Sequence, residues 1–265
     1  MSDLVLSHQD GRSVTLTLNL PQKRNPISAE MRAALIASLE FIRQDGSIRS
    51  VILTGAGDAF CSGLDLESLA EMANAADSDA VREANLADSR SIRDFFNYLL
   101  CYPKPLIAAV NGPAVAGGAG LALVCDCTIF SEHATICLSE VRLGFVPAIV
   151  SVYLQLSIGV KRAKELMLSA RTVSAQESLS LGLANAVVSA STLMEETRVR
   201  AAQFEKNGPT AMAATKKLSA DQFKHKTMYD MDLAVDLNSR IRTTSECREG
   251  IEAFLRKKKP TWAYS

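Results

Sequence analysis

The order of apolar and polar residues in the first part of the chain predicts alternating strands and helices. Residues 4–8 and 13–19 read as two strands joined by an Asp-Gly dipeptide, which is typical of tight hairpin turns. A helix with an N-cap at Ser28 follows, and then the short apolar strand 50–54. Strand, helix and strand at this spacing indicate a βαβ unit with parallel strands. The apolar face of the helix is expected at Met31, Leu35, Leu39 and Ile42.

The same pattern continues to the middle of the chain and then becomes almost wholly helical. After Pro147 we expect one short strand, at 184–188, and long charged helices in the last third. The layout predicts a β/α core over residues 1–190 and a helical region over 191–265 that packs against another subunit. The further predicted elements are helices over 66–76, 79–101 and 116–125, with a break near 77–79, and strands over 106–110, 127–131 and 135–137.

Composition and charge exclude several classes of function. The 265 residues are 48% apolar, carry no formal net charge and have a pI near 6.8, so bulk attraction to nucleic acid or an anionic membrane is not expected. Two uncharged runs, 105–125 and 143–160, are long enough to span a bilayer, but they contain Pro and Gly residues that would leave backbone groups unpaired in lipid. We therefore expect no membrane segment.

The cysteines predict a reducing compartment. Six are scattered along the chain, and the one close pair, Cys125 and Cys127, has no second pair or histidine cluster beside it. We therefore expect no metal site and read the cysteines as reduced thiols. The N-terminus lacks the basic segment and long apolar run of a signal peptide, and the predicted location is cytoplasmic.

Two glycine-rich turns and one acid carry the candidate chemistry. The stretch from Pro105 to Asp126 reads as a strand, a tight turn, a glycine cluster and a helix of small residues, and 60–66 is a second glycine-containing turn that runs into a helix. Such turns present bare N–H groups, which suit a negatively charged oxygen. Downstream, Glu140 is a lone acid among apolar residues. The combination predicts an oxyanion hole with one acid/base carboxylate.

Seven short segments, spread over essentially the whole chain, resemble the motifs of the enoyl-CoA hydratase/isomerase, or crotonase, superfamily. They are Lys23-Arg24-Asn25-Pro26, Phe60-Cys-Ser-Gly-Leu-Asp-Leu66, Lys104-Pro-Leu-Ile-Ala-Ala-Val-Asn-Gly112, Ala116-Gly-Gly118, Cys125-Asp126, Ser139-Glu-Val-Arg-Leu-Gly144 and Ala253-Phe-Leu-Arg-Lys-Lys-Lys-Pro260. The resemblance implies an α/β fold, the crotonase-type spiral of ββα units with a C-terminal helical trimerisation region. It also implies an acyl-CoA substrate, a homotrimer or homohexamer, and no cofactor beyond the CoA that belongs to the substrate.

The resemblance assigns roles to three residues. The backbone N–H groups of Leu64 and Gly117 are expected to hold the thioester oxygen, which becomes an oxyanion when a proton moves at C2. Glu140 matches one of the family's two catalytic glutamates, and burial would raise its pKa toward the range that suits a proton carrier near neutral pH.

Other positions are expected to contact the substrate. Lys23 and Arg24 meet the phosphate or adenine end of CoA or else lie in a solvated loop. Arg142 meets a distal carboxylate on the acyl group or else forms a structural salt bridge. Phe254 and Lys257 match positions through which a neighbouring subunit touches CoA. The remaining predicted substrate-binding residues flank the glycine turns: Ser62, Gly63, Asp65, Gly118 and Gly120.

One departure from the family pattern leaves the reaction open. Gly120 stands where two-acid hydratases have their other catalytic glutamate. In the favoured interpretation, Glu140 alone handles water and proton in a hydratase that resembles bacterial methylglutaconyl-CoA hydratases. In the second, Glu140 shuttles a proton between C2 and C4, as in single-glutamate Δ3,Δ2-enoyl-CoA isomerases. A third is a non-catalytic acyl-CoA-binding protein.

Overall fold

The computed structural model describes residues 3–74 and 79–263 and has nine strands and ten α-helices in these ranges. The strands are β1 (Val5–Asp10), β2 (Ser13–Leu18), β3 (Ser50–Gly55), β4 (Leu106–Val110), β5 (Ala114–Val115), β6 (Cys127–Ser131), β7 (Thr135–Cys137), β8 (Thr172–Ser174) and β9 (Ala186–Val188). The helices are α1 (Ala29–Gln44), α2 (Leu66–Asn74), α3 (Asp79–Leu100), α4 (Gly117–Leu123), α5 (Ala148–Ile158), α6 (Val160–Ser169), α7 (Ala175–Leu181), α8 (Leu193–Glu205), α9 (Pro209–Ile241) and α10 (Ser245–Leu255).

The larger sheet has the strand order β1-β2-β3-β4-β6-β9. β1 and β2 form the predicted antiparallel hairpin, and every other neighbouring pair in this sheet is parallel. α1 makes the crossover from β2 to β3, as the βαβ pattern predicts. It begins where Ser28 Oγ accepts a hydrogen bond from the Met31 amide at 3.2 Å, and its predicted apolar face is buried.

The smaller sheet brings together two segments that later form the site. β5 pairs in parallel with β7, and β8 pairs antiparallel with β7 on its other edge. The expectation of a single strand after Pro147 is wrong, because β8 precedes β9. β8 has three residues, too few for an apolar period to show, and its pairing with β7 determines its conformation.

Helices cover both faces of the larger sheet. α8 packs on one face, where Leu193 and Ala201 meet Ile52, Ile107 and Ile129. The main core lies on the other face and includes side chains from α1, α3, α4 and α5. α9 runs along α3 and α5, and α10 packs against α2 and a short 3-10 helix at Glu140–Leu143. The division into a core over 1–190 and a region over 191–265 stays a prediction, as does the trimerisation role of the latter.

Asn25 holds the loops after β2 and β3 together. This buried residue has left-handed backbone with a φ of 55°. Its Oδ1 accepts from the Leu20 amide at 2.9 Å, and its Nδ2 donates to the carbonyls of Ala56 and Ala59, both at 2.9 Å. A buried amide that satisfies three backbone groups makes this junction specific, because each group left unpaired costs about 1–3 kcal/mol.

The two uncharged runs form strands and helices of the α/β fold, with most of their apolar side chains buried. Residues 105–125 contain β4 and α4, and residues 143–160 contain α5. Across the described ranges, no helix combines the length and the apolar character needed to cross a membrane. The predicted helix break near 77–79 falls largely outside the described residues.

Candidate active site

One cavity of about 630 Å³ brings the three predicted key residues together. Leu64 lies in its wall at the turn before α2, Gly117 at the first residue of α4, and Glu140 at the start of the short 3-10 helix after β7. The three positions are far apart in sequence. The cavity is the place where the glycine turns and the acid meet.

Backbone hydrogen bonds connect the two glycine turns. Cys61 and Ala114 form a parallel bridge, and the Val115 amide donates to the Cys61 carbonyl at 2.9 Å. The Ala116 amide in turn donates to the Cys137 carbonyl at 2.8 Å, next to the β5–β7 pairing. Gly118 allows the close approach, since a Cβ there would lie 2.2 Å from the Cys61 carbonyl oxygen. The turn at 61–65 and the start of α4 therefore form one rigid backbone unit.

This unit places the amides of Leu64 and Gly117 side by side. Gly63 has a φ of +88°, and a Cβ built on it would lie 3.0 Å from the Gly117 nitrogen. A Cβ built on Gly117 would lie 3.7 Å from the Leu64 nitrogen. Neither amide has a protein acceptor in the part of the chain that the structure describes. Two unpaired donors at one point of a cavity wall form an anion-binding arrangement.

Glu140 is a buried acid whose carboxyl group is poorly compensated. Its side chain is 6% exposed, and Oε2 has no hydrogen-bond partner among the described residues. Burial raises the pKa of Glu140 to about 7, because the charged carboxylate loses its water, while a hydrogen bond from its own backbone N–H acts in the opposite direction. A carboxyl group with this pKa exchanges protons at neutral pH.

Apolar side chains crowd the position of Gly120. A Cβ at this position would lie 2.9 Å from Val150 Cγ2 and 3.1 Å from Phe96 Cζ, so even an alanine would be crowded. A glutamate here would require these two side chains to shift. The site as built contains one buried carboxyl group at the amide pair.

The structure places most of the predicted substrate-binding residues in the cavity wall and four outside it. Gly63, Gly118 and Gly120 serve the close packing described above, and Lys257 is exposed beyond the end of α10. The predicted residues that line the cavity, besides the three key ones, are Lys23, Arg24, Ser62, Asp65, Arg142 and Phe254.

Three of the charged residues among them, Lys23, Asp65 and Arg142, already have partners. Lys23 pairs with Glu67 and lies 3.9 Å from Asp65. Asp65 Oδ1 accepts from the Glu67 amide at 3.0 Å, so Asp65 caps the first turn of α2. Arg142 donates to the Ala170 carbonyl at 2.6 Å, so its contact is with backbone and not the salt bridge considered from the sequence.

The sequence interpretation missed the side chains that shape the far part of the cavity. Apolar residues line it from α3 and α5. Asn238 of α9 adds a polar group to this wall. The apolar spacing within α3 was a usable signal for Ile92 and Phe96, whereas nothing in the local sequence marked Asn238. The residues concerned are Ile92, Phe96, Phe145, Ile149, Val150 and Asn238.

The described residues contain no group of three or more His, Cys, Asp or Glu side chains placed to hold a metal ion. All six cysteines are free thiols. At the amide pair, the wall of the cavity offers backbone N–H groups and the buried carboxyl group of Glu140, while charged side chains line another part of it.

The raised pKa of Glu140 predicts a pH-dependent stability difference. The folded state binds a proton more tightly than the unfolded state, so Glu140 lowers stability progressively as pH rises from its ordinary pKa of 4.5 to about 7. Glu140→Gln removes this penalty. The variant should gain about 2–3 kcal/mol in unfolding free energy relative to wild type between pH 5 and pH 8, measured by urea denaturation.

A matched control for this measurement is Glu195→Gln, which makes the same change at an exposed position of α8. Because its side chain stays in water in the folded state, its difference from wild type should be far smaller than that of Glu140→Gln. A Glu140→Gln difference that is equal at pH 5 and pH 8 would contradict the burial of an ionisable group at this site.

Comparison with known proteins supports one family. The family model described as enoyl-CoA hydratase/isomerase matches residues 11–264. A Thermus thermophilus protein described as a putative enoyl-CoA hydratase is 40% identical over 252 residues, covering 95% of this chain and 98% of its own. The 2,3-dehydroadipyl-CoA hydratase of Escherichia coli K12 is 32% identical over 261 residues, with 98% of each chain covered.

Solved structures agree with the sequence comparisons. An enoyl-CoA hydratase/isomerase from Xanthobacter autotrophicus Py2 superposes with a TM-score of 0.87 at 28% identity, covering 97% of this chain and 94% of its own. The strand and helix arrangement of this chain is thus that of the crotonase fold that the motifs predicted. The chain belongs to the enoyl-CoA hydratase/isomerase family of enzymes.

Proposed function

We propose that this chain hydrates the 2,3 double bond of a 2-enoyl-CoA thioester. The observation that carries the proposal is the meeting of two unpaired backbone amides, those of Leu64 and Gly117, with one buried carboxyl group, that of Glu140, in the wall of a single cavity. CoA arrives as part of the substrate and no further cofactor takes part.

The amide pair acts on the thioester oxygen. When water adds at C3, negative charge moves through C2 onto that oxygen and forms an enolate-like oxyanion. Donors already fixed in place stabilise this charge without reorganising, and one such donor is typically worth about 3 kcal/mol of barrier. The hydrogen bonds between Cys61, Val115 and neighbouring backbone supply the rigidity that this role requires.

Glu140 carries the proton. In its ionised form it accepts a proton from the attacking water as the oxygen bonds to C3, and the same proton is then delivered to C2, which neutralises the enolate. The carboxyl group ends the cycle in its starting state. A pKa of about 7 keeps both forms accessible at neutral pH, which is what a group that first accepts and then donates a proton needs.

Δ3,Δ2-Enoyl-CoA isomerisation is the second candidate, and the crowding at Gly120 favours it. Moving a proton between C2 and C4 requires one carboxylate and no water. The 1,2-epoxyphenylacetyl-CoA isomerase of Escherichia coli K12 is 31% identical to this chain, whereas the more similar relatives named above are described as hydratases. A non-catalytic acyl-CoA-binding role is disfavoured by the retained Glu140.

The mouth of the cavity supports a CoA contact. Lys23 and Arg24 lie in its wall, and Phe254 is exposed beside them. We propose that the CoA phosphates compete with Glu67 for the Lys23 ammonium group. We propose 3-methylglutaconyl-CoA as one candidate substrate; Arg142 donates to the Ala170 carbonyl and is not assigned to the distal carboxylate of that substrate.

The activity test uses crotonyl-CoA, 3-methylglutaconyl-CoA and a 3-enoyl-CoA. Loss of enoyl absorbance with the first or second should be observed with wild type, and Glu140→Gln should lower kcat about 10²–10⁴-fold because the proton carrier is gone. Glu195→Gln is the matched control and should retain wild-type turnover. Conversion of the 3-enoyl-CoA without hydration of the 2-enoyl-CoAs would establish the isomerase instead.

We also propose a homotrimer or homohexamer. Apolar side chains on α5, α6 and α9 are exposed and surround a shallow groove, and an exposed apolar surface of this kind marks a contact site. These residues are Leu156, Val160, Leu233 and Leu237, with Met228 and Tyr229 beside them.

Light scattering should give three or six times the chain mass of 28.6 kDa. Leu233→Asp should reduce the measured mass, since it places a charge in the apolar surface. The control Leu6→Asp changes a leucine of similar exposure on β1 and should leave the measured mass unchanged. A wild-type mass of one chain would contradict the proposed assembly.

A further inference from the structure

Asn238 presents a polar group to the acyl part of the cavity. It lies on α9, is 4% exposed and forms part of the cavity wall together with Ile92 and Phe96 of α3. The proposed hydration chemistry takes place at Leu64, Gly117 and Glu140 and does not use Asn238. Buried polar groups are normally hydrogen-bonded, so a polar side chain beside apolar residues in a substrate cavity calls for an explanation.

The neighbours of Asn238 determine how its amide points. Oδ1 accepts from Ser89 Oγ and from Arg242 Nη2, each at 2.9 Å. A guanidinium group has donors and no acceptor, so the carbonyl side of the amide must face Arg242. Nδ2 is thereby turned away from Arg242, and among the described residues it has no acceptor, nor is it sealed in the interior. Because Asn238 lines the cavity, this nitrogen is the atom of the amide that is available to a ligand there.

A buried ion-pair network holds this orientation. Arg242, which is 1% exposed, donates from Nη1 to Asp88 Oδ2 at 2.8 Å. Arg32 donates from Nη2 to Asp88 Oδ1 at 2.9 Å. The guanidinium bond to Asn238 Oδ1 also polarises the amide, which strengthens Nδ2 as a donor. The amide is therefore a rigid, activated hydrogen-bond donor.

The position of the donor along the cavity follows from α3. Phe96 contacts the space at Gly120, close to the amide pair, while Ser89 lies on the same face of α3 and binds Asn238. Seven residues of α-helix separate Phe96 and Ser89, which is roughly 10 Å along the axis. Ile92 lies between them. Asn238 therefore lies about two helical turns along α3 from Phe96, with the apolar side chain of Ile92 between them.

We propose that Asn238 selects an acyl chain that ends in a carboxylate. The apolar section beside Ile92 and Phe96 accommodates a hydrocarbon segment, and the Asn238 amide donates to a carboxylate oxygen beyond it. A terminal methyl group in the same place would cover the N–H groups without offering them an acceptor. This inference rests on the proposed acyl-CoA function and names its substrate class.

The test compares the binding of matched saturated acyl-CoA pairs, which cannot be hydrated. The pairs are butyryl- with succinyl-CoA, hexanoyl- with adipoyl-CoA, and octanoyl- with suberoyl-CoA, and they differ by a terminal methyl or carboxylate. At one chain length, wild type should bind the acyl-CoA that ends in a carboxylate at least about tenfold more tightly than its methyl counterpart, because a hydrogen bond to a charged acceptor is among the stronger ones. Calorimetry measures both affinities.

Asn238→Asp keeps the acceptor for Arg242 and Ser89 but replaces the donor with a negative oxygen. The variant should abolish or reverse the preference for the carboxylate. Asn207→Asp makes the same change at an exposed position and should retain the wild-type preference for the carboxylate. The wild-type ratios alone are decisive if the variant does not fold. A wild-type protein with no preference for the carboxylate at any chain length would overturn the inference. So would an Asn238→Asp variant that loses affinity equally for both members of a pair.

Separate experiments test the role of Asn238 and the proposed hydration reaction, so the failure of one can be told from the failure of the other. Hydration of crotonyl-CoA, which has no distal carboxylate, tests the reaction independently of Asn238. Binding of saturated acyl-CoAs tests the cavity independently of the reaction.

Discussion

The site depends on a short series of backbone hydrogen bonds between three segments that are distant in sequence. Val115 donates to Cys61, and Ala116 donates to Cys137. These contacts fix the turn before α2, the start of α4 and the strand before Glu140 relative to one another. A displacement of any of the three would separate the two amides from each other or from the acid. Glycine at 118 is required because the Cys61 carbonyl occupies the place of its Cβ.

A second constraint is the apolar wall that surrounds the carboxyl group. Burial deprives the Glu140 carboxylate of water, and this raises its pKa to about 7. Phe96 and Val150 close the space beside Gly120, so a single acid serves the proposed reaction. The site therefore loses stability as pH rises from 4.5 to about 7, in exchange for a group that exchanges protons near neutral pH, a common arrangement at functional sites.

Local patterns predicted much of this structure. The hairpin, the capped helix α1 and the parallel strands β3, β4 and β6 follow from short-range periodicity, and Glu140 was marked by its apolar flanks. β8 was missed because three residues carry no period and its pairing with β7 decides its conformation. The orientation of the Asn238 amide could not be predicted from local sequence either, because it depends on Ser89, which lies 149 residues earlier. Whether Arg142 pairs with an acid or with backbone was likewise a question of tertiary contact.

The carbonyl stretch of a bound thioester, measured by infrared spectroscopy, shows most directly whether the two amides hold the thioester oxygen. Butyryl-CoA labelled with ¹³C at the thioester carbonyl binds without reacting, and isotope-edited infrared spectroscopy isolates that one bond. If the amides of Leu64 and Gly117 both donate to the oxygen, the stretch of the bound ligand should move to lower wavenumber than that of the free ligand. A bound thioester whose stretch is unshifted would contradict the account.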